Sequence, residues 1–221
     1  MRFVWFSALL GLSLTALPGI ADQEKPTSDK KEWVPLFDGK TLDGWEQRNG
    51  TATFRVEDGC IVGKTAEGSP NSFLCTKKEY ANFELRFEVK VDDALNSGVQ
   101  IRSKSRDNKK EGRVHGPQVE ISTDGMAGFI YGEGLTTGWL SKDRSDPKAR
   151  VAFRKGQWNK YRVLAVGKSI KTWVNDVPVA DLIDEQTGMK SGFIGLQVHS
   201  IPKGKGPYEV RWRNLEIRVI D

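Results

Sequence analysis

Phe83-Glu84-Leu85-Arg86-Phe87-Glu88-Val89-Lys90-Val91 alternates apolar and charged residues without a break. Strand side chains point to opposite faces in turn, so the five apolar residues share one greasy face. Glu84, Arg86, Glu88 and Lys90 share a wet face of alternating sign. Similar runs follow downstream. Tyr161 to Val166, Ser169 to Val174 and Val177 to Asp181 read as a meander turning at Gly167-Lys168 and Asn175-Asp176. Tyr208 to Ile220 is a last strand in which Val210 and Trp212 share one parity and Leu215, Ile217 and Val219 the other. One extra residue near Arg213-Asn214, a β-bulge, returns them to a single buried face. No long stretch keeps a helical period, and only Asp184 to Lys190 reads as one helical turn. About a dozen short strands in ~190 residues define an all-β chain, a two-sheet antiparallel sandwich.

The chain's 221 residues suit one such domain. Arg2, the apolar run Phe3 to Leu17 and the small-x-small site Gly19-Ile20-Ala21 before Asp22 form a secretory signal over residues 1–21. The run is short for a bilayer span, no Cys follows it, and no later segment is apolar enough to cross a membrane. An exported protein, periplasmic or extracellular and free of the membrane after cleavage, is expected. Residues 22–32 are charged and read as a flexible leader, which leaves 33–221 as the domain. The formal charge of +5 is modest and scattered. The basic run Lys104 to Arg113 contains acids and no aromatics, so it reads as a solvated loop and not as a nucleic-acid surface. Cys60 and Cys75 leave two readings open. An even count in an exported protein permits a disulfide, and the pair lies symmetrically about Glu67-Gly68, where a hairpin would set them opposite. Two buried thiols in neighbouring strands is the other. No Cys/His cluster has zinc spacing.

Three runs differ from the wet-face pattern: Ser97-Gly-Val-Gln-Ile-Arg102, Pro117-Gln-Val-Glu-Ile-Ser122 and Gly192-Phe-Ile-Gly-Leu-Gln-Val-His199. Opposite their greasy sides stand Gln100 and Arg102, Gln118 and Glu120, Gln197 and His199. If the three are neighbours in one curved sheet, these side chains converge in a groove suited to a polyhydroxylated ligand. Glu120 is the only carboxylate on these faces and the best general-base candidate, with a salt bridge to Arg102 as the structural alternative. Arg102 suits a clamp on an anionic oxygen, since a guanidinium stays charged and presents a fixed fork. His199 carries an imidazole, a side-chain type that can both give and take a proton, and suits an acid or base, or a plain hydrogen-bonding role. Gln100, Gln118 and Gln197 cannot move protons at neutral pH and suit hydroxyl recognition. Asn96 opens its strand, either as a ligand contact or as an Asx turn. Residues 124–150 are rich in glycine and aromatics. There Tyr131 is expected to face the groove and Trp139 to sit on a loop, as a stacking wall for a sugar ring. Trp158 and Trp173 have strand-like neighbours and are expected in the core.

Taken together, the motifs resemble the 3-keto-disaccharide hydrolase, or 3-keto-glucoside 1,2-lyase/hydratase, family. The likeness runs through Leu36-Phe-Asp-Gly-Lys-Thr-Leu-Asp-Gly-Trp45, Tyr80-Ala-Asn-Phe-Glu-Leu85 and Asn96-Ser-Gly-Val-Gln-Ile-Arg102. It continues in Gly116-Pro-Gln-Val-Glu-Ile121, Ile130-Tyr-Gly132, Gln157-Trp-Asn159, Gly192 to His199 and Arg213-Asn-Leu-Glu-Ile217. The resemblance implies a concanavalin-like jelly roll, export, and action on glycosides oxidised to a ketone at C3, with an oligosaccharide or keto-sugar as substrate. Many members carry Glu then Gln two residues apart in the central strand. Here the order is Gln118 then Glu120, so the carboxylate keeps its face and moves by two residues. The implied chemistry needs a base near C2, a cation or donor for the enolate oxygen and an acid for the departing oxygen. No residue pattern requires a cofactor; a divalent ion on the enolate oxygen is compatible with the chemistry, but no spacing calls for one. A catalytic serine elbow, a phosphate loop, an HExxH helix and the Glu-x-Asp-x-x-Glu of lectin-like glucanases are all missing from the sequence. An ordinary glycosidase flanks the bond with two carboxyls. The three faces supply Glu120 alone, with Asp124 and Glu133 as candidate partners from loops.

Overall fold

The computed structural model of the chain describes residues 1–3 and 32–221. The expected signal and leader therefore lie outside the described residues, apart from Met1 to Phe3 and Glu32. Fourteen strands follow one another: β1 (Val34–Pro35), β2 (Trp45–Asn49), β3 (Thr53–Glu57), β4 (Cys60–Lys64), β5 (Ser72–Thr76), β6 (Phe83–Val91), β7 (Ser97–Ser105), β8 (Val114–Ile121), β9 (Ile130–Glu133), β10 (Asn159–Val166), β11 (Ser169–Val174), β12 (Val177–Ile183), β13 (Phe193–Val198) and β14 (Glu209–Val219). Among the described residues one α-helical turn is present, Pro147–Arg150, capped by the Asp146 carboxylate accepting from Lys148 N. Asp184 to Lys190 is not helical; its Asp184 carboxylate instead accepts from Gln186 N and Thr187 N to hold a turn.

The expected two-sheet antiparallel sandwich is present. The larger sheet runs β12-β11-β10-β6-β14-β4-β3, with β1 on β14, and the smaller runs β2-β5-β13-β7-β8-β9. Their inner faces supply one core. Phe83, Leu85, Phe87 and Val89 come from β6, Val163 and Ala165 from β10, Val99 and Ile101 from β7, Val119 and Ile121 from β8, and Ile194 and Leu196 from β13. The bulge in β14 is also present. Asn214 takes φ +52°, the β14–β6 register shifts between Arg213 and Glu216, and Trp212, Leu215 and Ile217 are all buried.

Of the two open readings of the cysteines, buried thiols are found, though not in neighbouring strands, and the expectation for two tryptophans is corrected. Cys60 lies on β4 of the larger sheet and Cys75 on β5 of the smaller, and both are free, buried thiols. The chain crosses between sheets after Lys64 instead of turning back as a hairpin, so no disulfide joins the pair. Trp158 and Trp173 are half-buried, not core. Each packs against a guanidinium, Arg213 at 4.0 Å from the Trp158 ring centre and Arg162 at 4.2 Å from that of Trp173. Among the described residues no helix is long and apolar enough to cross a membrane.

Candidate functional site

The three polar runs are adjacent strands, β13-β7-β8, at the centre of the smaller sheet. Register sets Gln100 opposite Gln118, and Gly98 opposite both Glu120 and Gln197. The glycine is required there. A Cβ on residue 98 would fall 2.4 Å from Gln118 Cδ, so only glycine lets the glutamine lie across β7.

Gln118 is the hub of the site. Its Oε1 accepts from Gln100 Nε2 at 2.7 Å and from Gln197 Nε2 at 2.8 Å. That turns its own Nε2 toward Glu120, to whose Oε2 it donates at 3.0 Å. Ser103 Oγ holds Gln100 in place by donating to its Oε1 at 2.6 Å. Gln100 and Gln197 are wholly buried, so they act here as a layer beneath the pocket that orients Gln118.

Glu120 is 6% exposed, and its Oε1 accepts from Asn96 Nδ2. Burial raises its pKa from 4.5 to about 7; the two amide donors oppose this, and the nearby charges of Asp124 and Glu133 reinforce it. Its backbone oxygen accepts from Tyr161 Oη at 3.2 Å. No salt bridge reaches Glu120 among the described residues, so the alternative role in a pair with Arg102 does not hold.

A cavity of about 310 Å³ opens over this floor. Gln118, Glu120, Asn96, Tyr131, Trp139 and His199 all line it, together with Asn71, Arg113 and Glu133. Tyr131 and Trp139 meet edge to face at 5.2 Å and form one wall. His199 sits just past the end of β13, its Nδ1 2.8 Å from Ser200 O. A carbonyl only accepts, so Nδ1 carries the hydrogen and Nε2 keeps the lone pair in the neutral ring. Glu133 accepts from Asn71 Nδ2 and from Gln197 Nε2, each at 3.4 Å. Among the described residues no group of three or more His, Cys, Asp or Glu is placed to hold a metal ion.

Arg102 is not in this pocket. Between Gln100 and Lys104 the β7–β8 register slips by one residue, and Arg102 adopts φ +51°. Its side chain is carried away from the groove and buried, with 1% of its surface exposed. There it donates to Ala81 O, Gly167 O at 2.6 Å and Asn82 Oδ1. Ser103 takes the next place on the groove face instead. Arg102 thus ties together the segments around Asn82 and Gly167, beside a separate cavity that also borders Asp184 and Met189.

Three pocket residues escaped the sequence reading as principal players. Glu133 shares the parity of Tyr131 within β9, so the alternation rule could have placed it on the groove face. Asn71 and Arg113 stand in loops just before β5 and β8, where no periodicity applies. The segment before Arg113 is pinned over the β2 end of the smaller sheet. Asn49 N donates to Lys110 O at 2.8 Å, Lys110 pairs with Glu46 at 3.3 Å, and Val114 packs with Phe73, Cys75 and Phe193.

A polar, carboxylate-bearing pocket of this kind on one sheet of the sandwich is suited to a polyhydroxylated ligand. A family model described as a 3-keto-alpha-glucoside-1,2-lyase-like domain matches residues 32–218, and the chain belongs to that family. It is similar to a 3-keto-disaccharide hydrolase of Bacteroides thetaiotaomicron, 22% identical over 87% of this chain and 80% of the relative. Among solved structures it is similar to a Parabacteroides distasonis protein described as a glycosyl hydrolase, with TM-score 0.62, 22% identity, and 86% and 94% of the two chains covered. It is also similar in fold to the carbohydrate-binding module CBM66 of Bacillus subtilis, with TM-score 0.55, 16% identity, and 79% and 95% covered.

Proposed function

We propose that this is an exported enzyme that cleaves 3-keto-glycosides by removing the C2 proton, with Glu120 as the base. One observation carries the reading. The buried Glu120 carboxyl, aligned by two amide donors, has its pKa raised to about 7. A base poised there is half ionised at neutral pH and strong enough to take a proton made acidic by the neighbouring ketone. Family membership supports this substrate class.

The electron movements balance with groups of this chain. Glu120 takes the proton from C2, the C2–H pair forms a C2=C3 bond, and the carbonyl pair moves onto the C3 oxygen. That pair then returns, C1=C2 forms, and the C1–O bond breaks. Protonated His199, through Nε2, gives a proton to the departing oxygen. Water next adds its hydroxyl to C1 while Glu120 returns a proton to C2, and His199 recovers its proton from the water. The net change is hydrolysis. In this scheme Asn96 and Gln118 hold the carboxylate, Tyr131 and Trp139 stack on the ring, and Gln100 and Gln197 act through Gln118.

Glu133 favours a second reading, because it places another carboxylate in the same pocket. Two carboxyls could hydrolyse an unoxidised glycoside directly. The test compares a 3-keto-α-glucoside with its unoxidised parent. Cleavage of the oxidised sugar alone supports the proposal. Equal cleavage of both supports direct hydrolysis. Binding of either without turnover would identify a carbohydrate-binding module instead.

A further inference from the structure

We propose that Arg113 is the catalytic cation of this pocket, taking the negative charge that forms on the C3 oxygen; this rests on the keto-glycoside reading above. Proton removal from C2 places an electron pair on that oxygen. The intermediate would form in a pocket that already holds Glu120 and Glu133, with Asp124 close enough to act on Glu120. Oxygen charge formed beside these carboxylates needs a positive partner. Arg102, the cation expected on sequence grounds, is buried elsewhere and engaged with Ala81, Gly167 and Asn82. Arg113 is the one lysine or arginine among the lining residues.

Its anchoring fits the role. The Arg113 carbonyl accepts from Arg106 N at 3.0 Å, and His115 Nδ1 lies 3.3 Å from the same oxygen. The next residue, Val114, is fully buried against Phe73, Cys75 and Phe193. The backbone is therefore fixed. By contrast, the Arg113 guanidinium is exposed and has no hydrogen bond or ion pair among the described residues. No internal contact has to break before it meets a ligand oxygen, and its fork can offer two N–H groups to it. Glu120 and His199 keep their own tasks, so base, cation and acid are three separate residues.

The test measures kcat and KM of Arg113→Ala and Arg113→Lys on a 3-keto-α-glucoside. A donor that acts on charge formed only in the transition state is worth about 100-fold or more in kcat. Arg113→Ala should lose about that much in kcat, with KM within about threefold of wild type. Arg113→Lys should recover roughly tenfold of the loss, because it restores the charge without the fork. A loss confined to KM, or an Arg113→Ala kcat within about threefold of wild type, would overturn the assignment while wild-type turnover left the reading of the pocket standing. A wild-type protein that binds the keto-sugar without cleaving it would bring down both.

Discussion

At the scale of single residues, Glu120 and Arg102 show what alternation can and cannot reveal. Glu120→Gln keeps the shape of the side chain and removes the base; it should lower kcat by about 10³-fold, within the range for a lost general base, while sugar affinity is retained. Wild-type kcat/KM should rise with pH through about 7 as the Glu120 carboxyl ionises. Stability should move the opposite way. The folded carboxyl holds its proton more tightly than the unfolded one, so the fold binds more protons between the two pKa values. This advantage is complete below about 4.5 and is lost as pH rises to about 7, a fall of roughly 3 kcal/mol at most. Urea unfolding across that window should show the fall in wild type and not in Glu120→Gln. The face of Glu120 was legible because β8 is unbroken. Arg102 was not, because β7 bulges just where Arg102 sits. In β14 a bulge announces itself, since Val210 and Trp212 conflict in parity with Leu215 and Ile217. Beyond Arg102, Ser103, Lys104 and Ser105 carry no apolar parity, so the same irregularity leaves no mark in the sequence.

At the scale of elements, the two outer sheet faces contrast. On the larger sheet, Arg86 pairs with Glu216 at 2.6 Å and Arg213 with Glu88 at 2.7 Å. Such part-exposed pairs each contribute up to about 1 kcal/mol, whereas Glu84, expected on the wet face, is instead buried between Arg162 and Arg218. On the smaller sheet Gln100 of β7 and Gln197 of β13 both donate to Gln118 of β8, which in turn donates to the Glu120 carboxylate. That arrangement depends on the missing side chain at Gly98. Gly98→Ala should push Gln118 off its three partners and cost about 1–3 kcal/mol by overpacking. Activity should fall more steeply than stability, which paired turnover and urea-unfolding measurements would show. If activity persists unchanged, Gln118 does not position Glu120.

At the scale of the whole molecule, strand number, the meander and the two-sheet plan were legible because hydrophobic period reports burial directly. Which strands become partners was legible only where a short turn dictates it. The symmetric spacing of Cys60 and Cys75 fitted a hairpin, yet β4 pairs with β3 and β14 while β5 pairs with β2 and β13. The segment between them spans the two layers, a choice made by tertiary packing and not by local pattern. Reductant should therefore leave the unfolding midpoint unchanged. Burial raises both thiol pKa values, Cys75 most strongly, so alkylation should reach them only after denaturation. A midpoint lowered by reductant would show that a bridge forms after all.

The same layered plan places Glu120, His199, Arg113 and the Tyr131–Trp139 wall around one hollow on the smaller sheet. Its proposed use is tested most directly by cleaving a 3-keto-α-glucoside in deuterated water and examining C2 of the released keto-sugar by NMR, against a control without enzyme. Proton abstraction followed by hydration predicts deuterium at C2 in the enzymatic product from its first appearance. Rapid cleavage that leaves the original hydrogen on C2 would contradict it.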